Sequence, residues 1–232
     1  MSGYAAAIAP VIDAAHVNLH AAAHREVTAL AEAAGISPGY LSDLRFTLPL
    51  RPLTRARLEA IYRYRSAAER EGGVRQHLCE GTLAEDAGLL RATAKGLAFI
   101  RRLYKAHADA AERVWAGHDL AGLAGLAARV LERAERGPGG ALAALAPPYE
   151  PEGTPPGVLL FNRLAVLRYQ RADAHAAAWQ AAGLSAAGIV ALAAGPQRDR
   201  IETDTNERAA PPYGALTADE RETLYDGLRA LM

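Results

Sequence analysis

The stretch from Leu53 to Ile100 constrains this chain most, because its residues dictate a succession of local structures rather than one. Leu53, Leu58 and Ile61 give residues 54–63 an apolar stripe near helical spacing, and Arg55, Arg57 and Arg63 are left to water. Ser66-Ala67-Ala68-Glu69 follows as a capping box, in which hydroxyl and carboxylate satisfy each other's free backbone donors. A second helix therefore starts at Ala67 and runs towards Leu78, Cys79 and Gly81. Residues 82–85 and 89–92 are short strand candidates around Asp86-Ala87-Gly88, a turn signal. Thr93 then caps a long helix that opens Ala94-Lys95-Gly96.

Helix, tight turn, helix and two-stranded wing is the order of winged helix-turn-helix modules. The signature Gly81-Thr82-Leu83, Asp86-Ala87-Gly88 and Leu90 to Gly96 resembles the recognition helix, wing and following helix of MarR-like regulators. That resemblance implies duplex DNA as partner, with residues 67–78 as the reading helix in the major groove and a homodimer presenting two of them. Arg65, Arg70 and Arg75 would then contact DNA, and Arg91 and Lys95 would reach backbone phosphate from the wing. Glycines at 72 and 73 oppose this, each costing about 1 kcal/mol against alanine inside a helix. Glu69 and Glu71 oppose it too, by repelling phosphate.

Charge gives that expectation only local support. Lys+Arg 26 balances Asp+Glu 26 and the sequence pI is about 7.1, so no global field attracts nucleic acid or acidic lipid. Between Arg51 and Lys105, however, basic residues outnumber acidic ones. The single cysteine, Cys79, excludes an internal disulfide framework, suits a reducing compartment and reads as a small buried residue. No basic leader precedes a long apolar run, and no apolar stretch is long enough to span a bilayer, so a cytoplasmic protein without membrane partners is expected.

The flanks read as helices, giving a mostly α fold in three parts: a helical segment at 1–50, the winged module at 51–106 and a helical domain at 107–232. Residues 5–34 form a long helix stopped by Gly35, with Asp13, His16, His20 and His24 on the flank of its apolar stripe. Imidazoles one turn apart can share a divalent metal, but nothing in the sequence completes such a site, and a small-molecule pocket beside the stripe is the better reading. Ser37-Pro38 starts a second helix carrying Tyr40 and Leu41. After the long helix at 94–115 come a helix at 120–136, a proline-rich connector at 147–156, and a helix at 158–182 that packs Arg168, Arg171, Asp173 and His175 into two turns. Ser185, Pro196 and the capping box Thr217 to Glu220 start three more.

In this last part the run Arg171 to Ser185, and Ile201 to Leu216, resembles bacterial helix-turn-helix proteins known as SalK-like. The resemblance implies pocket or structural positions at Asp173, His175, Asn206 and Tyr213. Two functions follow as expectations. One is a ligand-responsive transcriptional regulator. The other is a small-molecule-binding protein or biosynthetic enzyme on a winged-helix scaffold that no longer binds DNA. His20, His24, Tyr40, Arg168, Asp173, His175 and Asn206 are the ligand-binding candidates. His20, Asp173 and His175 would be catalytic if the protein is an enzyme, because an imidazole near a carboxylate can act as general base at neutral pH. Phosphate loop, dinucleotide fingerprint, nucleophile elbow and zinc-finger spacing are all missing, so neither cofactor nor metal is expected.

Overall fold

The computed structural model describes residues 1–232, which form helices around a small antiparallel sheet. Helix α1 spans Ser2–Ala34, α2 Gly39–Asp43, α3 Arg55–Ile61 and α4 Ala67–Cys79; α5 spans Ala94–Val114 and α6 Leu120–Arg133. Beyond them α7 spans Ala141–Leu145, α8 Pro156–Ala181, α9 Ala186–Ala191, α10 Pro196–Ala209 and α11 Ala218–Ala230, with a 3-10 turn at Pro211–Ala215. No helix is long and apolar enough to cross a membrane.

The local signals act as their chemistry requires. Gly35 adopts the left-handed conformation at φ 59° and returns its N–H to Ala31, ending α1. Both capping boxes form, Ser66 with Glu69 and Thr217 with Glu220, and Thr93 and Ser185 cap α5 and α9. Helix α8 carries the organisation of the whole. It buries Val158, Leu160, Phe161, Leu164, Val166, Leu167 and Trp179, residues spread around most of its circumference. A helix apolar on so many sides must be enclosed. Helices α1, α5, α6, α7 and α10 enclose it. One apolar core holds residues from all three sequence segments, among them Ile8, Leu53, Leu103 and Leu164.

Four expectations are corrected. The sheet has three strands, not two, in the order β1 (Leu53–Thr54), β3 (Leu89–Ala92), β2 (Leu83–Asp86), with Leu53 opposite Leu90. Leu53 is fully buried there, and Thr54, read as helical, is extended and caps α3 by accepting the Arg57 N–H. Ser37 is not a helix cap; its backbone N–H donates to the Glu80 carboxylate, while α2 starts two residues later. Cys79 is exposed rather than buried, because α4 turns that side outward at its end. Residues 141–145, passed over between glycines and prolines, form α7.

The paired glycines of α4 are not equivalent. A Cβ on Gly73 would stand 2.9 Å from Tyr40 Cζ, whereas one on Gly72 would meet nothing within 4 Å. Gly73 lets α4 seat against Tyr40, whose hydroxyl donates to the Arg70 carbonyl at 2.9 Å. Gly72→Ala should therefore raise stability by up to about 1 kcal/mol in urea unfolding. Gly73→Ala should lower it by about 1–3 kcal/mol.

Candidate functional site

A cavity of about 520 Å³ opens where α1, α8 and α10 meet the turn after α3. Ala5, Ala9 and Ile12 of α1, Ile61, and Leu167 and Ala172 of α8 form its apolar wall. Its polar lining comes from Asp13, Tyr64, Arg168, Tyr169, Arg171, His175, Glu202, Thr205 and Tyr213. An apolar body with a few converging polar groups is the usual make-up of a small-molecule site.

Those polar groups form two connected sets. In the first, Arg168 places Nε 2.6 Å from the Asp13 carboxylate and donates through Nη1 to His16 Nδ1 at 3.0 Å. In the second, Tyr64 Oη lies 2.8 Å from His175 Nδ1, and His175 Nε2 faces Glu202 at 3.8 Å. Trp179 Nε1 donates to the Tyr64 oxygen at 3.4 Å, which leaves the phenolic proton to point at His175. Burial lowers the His175 pKa, opposed by Glu202, so the ring is neutral at pH 7 with Nδ1 as acceptor. Arg171 closes this side, donating to Asn206 Oδ1 at 2.8 Å and Glu202 Oε2 at 3.1 Å. The hydrogen-bonded phenol and neutral imidazole, with the Glu202 carboxylate beyond direct hydrogen-bond reach at 3.8 Å, can read a hydroxyl or carbonyl.

Of the residues singled out in the sequence, Asp13, Arg168, Arg171, His175 and Tyr213 line the cavity, and Asn206 holds Arg171 from behind. His24 is exposed on α1. His20 turns inward, its Nδ1 3.2 Å from His107 Nε2. Tyr40 packs beneath α4, stacked on Tyr62 at 4.6 Å between ring centroids. Asp173 is a structural anchor. Its carboxylate accepts the N–H groups of Ala141 at 2.9 Å and Leu142 at 2.8 Å, starting α7, and pairs with Arg63. Tyr64, Tyr169 and Glu202 escaped selection because they come from separate helices and turns that only folding brings together. No group of three or more His, Cys, Asp or Glu is placed to hold a metal.

Part of the positive charge of the central segment is engaged by carboxylates, while Arg57, Arg101 and Arg102 are exposed and form no ion pair. Arg70 pairs with Glu59 at 2.7 Å and Arg65 with Asp43 at 3.6 Å, and Arg55 spans Glu71 and Glu85. Lys95 Nζ donates to the Glu80 carbonyl at 2.8 Å. Arg75 and Arg91 are exposed and form no ion pair, but the outward face of α4 also carries Glu69 and Glu71. No protein-family model matches the sequence, and neither the curated proteins nor the solved structures give a match.

Two measurements check this geometry. Asp173→Ala removes the acceptor for two α7 amides and strands Arg63, and should cost about 3 kcal/mol in urea unfolding with Arg168→Ala far milder. Acid should destabilise the fold through His107. Burial, and then Arg45, hold this imidazole down at about 3, whereas in the unfolded chain it protonates near 6.5. The unfolded state binds the extra proton between those values, so stability is complete above about pH 6.5 and is lost as pH falls towards 3. Unfolding at pH 7.5, 6 and 5 should show that decline, and His107→Phe should reduce it, with buried His16 contributing in the same direction.

Proposed function

We propose that this chain binds a small, partly apolar molecule in the cavity between α1, α8 and α10. In this reading helices α3 and α4 with the β2–β3 hairpin keep winged-helix order as a scaffold, and DNA reading is not their task. The observation that carries it is the contrast between two surfaces. The cavity combines an apolar wall with the Tyr64, His175 and Glu202 line and has room for a compact organic molecule. The outward face of α4, which a duplex would have to meet, bears Glu69 and Glu71, and Arg65 and Arg70 are held by Asp43 and Glu59. Phosphate contact needs free cations, and each one already neutralised by a neighbouring carboxylate contributes little.

The molecule suited to this cavity has an apolar body and one hydrogen-bonding group that meets Tyr64 and His175. Ligand-observed NMR with a panel of aromatic and medium-chain acids, amides and alcohols should yield binders, read independently by quenching of Trp179 beside Tyr64. Ala172→Trp, which fills the cavity, should weaken any such binder at least tenfold, and Arg75→Glu should leave it unchanged. A salt-dependent shift of duplex DNA that is lost in Arg75→Glu and Arg91→Glu, with no cavity binder found, would replace this reading with the regulator.

A further inference from the structure

Away from the cavity, the fully buried ring of Phe161 on α8 gathers polar groups from three other elements. The Arg45 guanidinium carbon sits 4.2 Å from its centroid, His16 of α1 stacks at 4.6 Å and His107 of α5 at 4.5 Å. Arg45 is 3% exposed and makes no ion pair. Burial lowers its pKa only to about 10, so it is charged at neutral pH. Its Nη1 donates to the Ser42 carbonyl at 2.7 Å, and its Nη2 is buried without a partner.

A buried cation ordinarily has a carboxylate beside it. Here the carboxylate that acts on Arg45, Asp43, is committed elsewhere, to Tyr62 and Arg65. The imidazoles cannot supply the counter-charge either. His107 Nδ1 donates to the Leu103 carbonyl at 2.7 Å, so its Nε2 is the acceptor facing His20 Nδ1, and both rings are neutral. His16 adds a donor instead. Because its Nδ1 accepts from Arg168, its proton is on Nε2, and that atom is buried without a partner. The Ser42 hydroxyl is a third buried group lacking a partner. Two unsatisfied donors, one of them cationic, thus flank the same ring, and a full negative charge is the missing complement.

We infer that Arg45 and His16 form a buried binding site for a small oxyanion, with a single carboxylate as the matching class. Such a group would accept from Arg45 Nη2 and His16 Nε2 and neutralise the guanidinium. It can arrive as a free small carboxylate or as the acidic end of a cavity-bound molecule, because Arg168 touches both His16 and the cavity.

Thermal unfolding of the full chain at constant ionic strength, with sodium formate or benzoate replacing chloride, tests this. At one hundred times its dissociation constant a carboxylate should raise Tm by about 5 °C. Arg45→Met should abolish the rise and Arg75→Met, on the outward face of α4, should not. The methionine variant exchanges an uncompensated cation for an apolar chain of similar length, so it is expected to fold. If it does not, His16→Phe retains the stack on Phe161 without the donor and should weaken binding at least tenfold. Equal affinity for formate and benzoate identifies a free anion. Benzoate at least tenfold tighter, reduced to the formate level by Ala172→Trp, identifies the head of a cavity ligand. A Tm response no larger than that to chloride, or one that Arg45→Met or His16→Phe leaves intact, overturns the site; neither result bears on neutral binders in the cavity.

Discussion

The enclosure of α8 is the constraint on which the rest of this structure depends. Its buried residues occur on most sides of the helix, so no single partner can cover them. Helix α1 covers one side, α6 and α10 others, and the short α7 a further one. The Asp173 carboxylate fastens that last contact by taking two backbone N–H groups at the start of α7 and the Arg63 guanidinium. An ion thus placed links α8 to the start of α7 and to the segment after α3, and charge-assisted bonds of this kind are stronger than neutral ones.

The same enclosure creates the cavity. Small residues, Ala5 and Ala9 on α1 and Ala172 and Ala209 on α8 and α10, meet where the helices diverge and leave space that bulkier side chains would fill. Around it, residues remote in sequence combine. Tyr64 follows α3, His175 stands near the end of α8 and Glu202 belongs to α10, yet Tyr64 and His175 bond each other and Glu202 faces the same imidazole. The central segment works in the opposite sense. Part of its surplus of arginine, conspicuous in the sequence, is drawn into pairs, Arg70 with Glu59, Arg55 with Glu71 and Glu85, and Arg65 with Asp43, which leaves Arg75 as the unpaired arginine of α4.

Signals that act within a few residues were legible in the sequence. The Ser66 and Thr217 capping boxes, the Thr93 and Ser185 caps and the stop at Gly35 each place an element end, because capping satisfies backbone groups one turn away. Leu53–Thr54 carries no period of its own and reads as the edge of a helix; only the pairing of Leu53 with Leu90 makes the two residues a strand. For the site, Arg168 and His175 could be picked out by their clustering on one helix. Asp173, two residues from His175, could not be separated from them by type, although it points to α7 and serves the fold. Arg45 and Tyr64 gave no signal, standing beside a proline-rich bend and a turn.

By itself the sequence determined a mostly helical chain, the ends of most of its helices and the hairpin at 83–92, since these follow from caps, turns and apolar period. The tertiary structure alone decided which charges are free, which polar groups meet and where space remains. Pairing, burial and cavity volume are properties of residues far apart along the chain, and no local pattern encodes them.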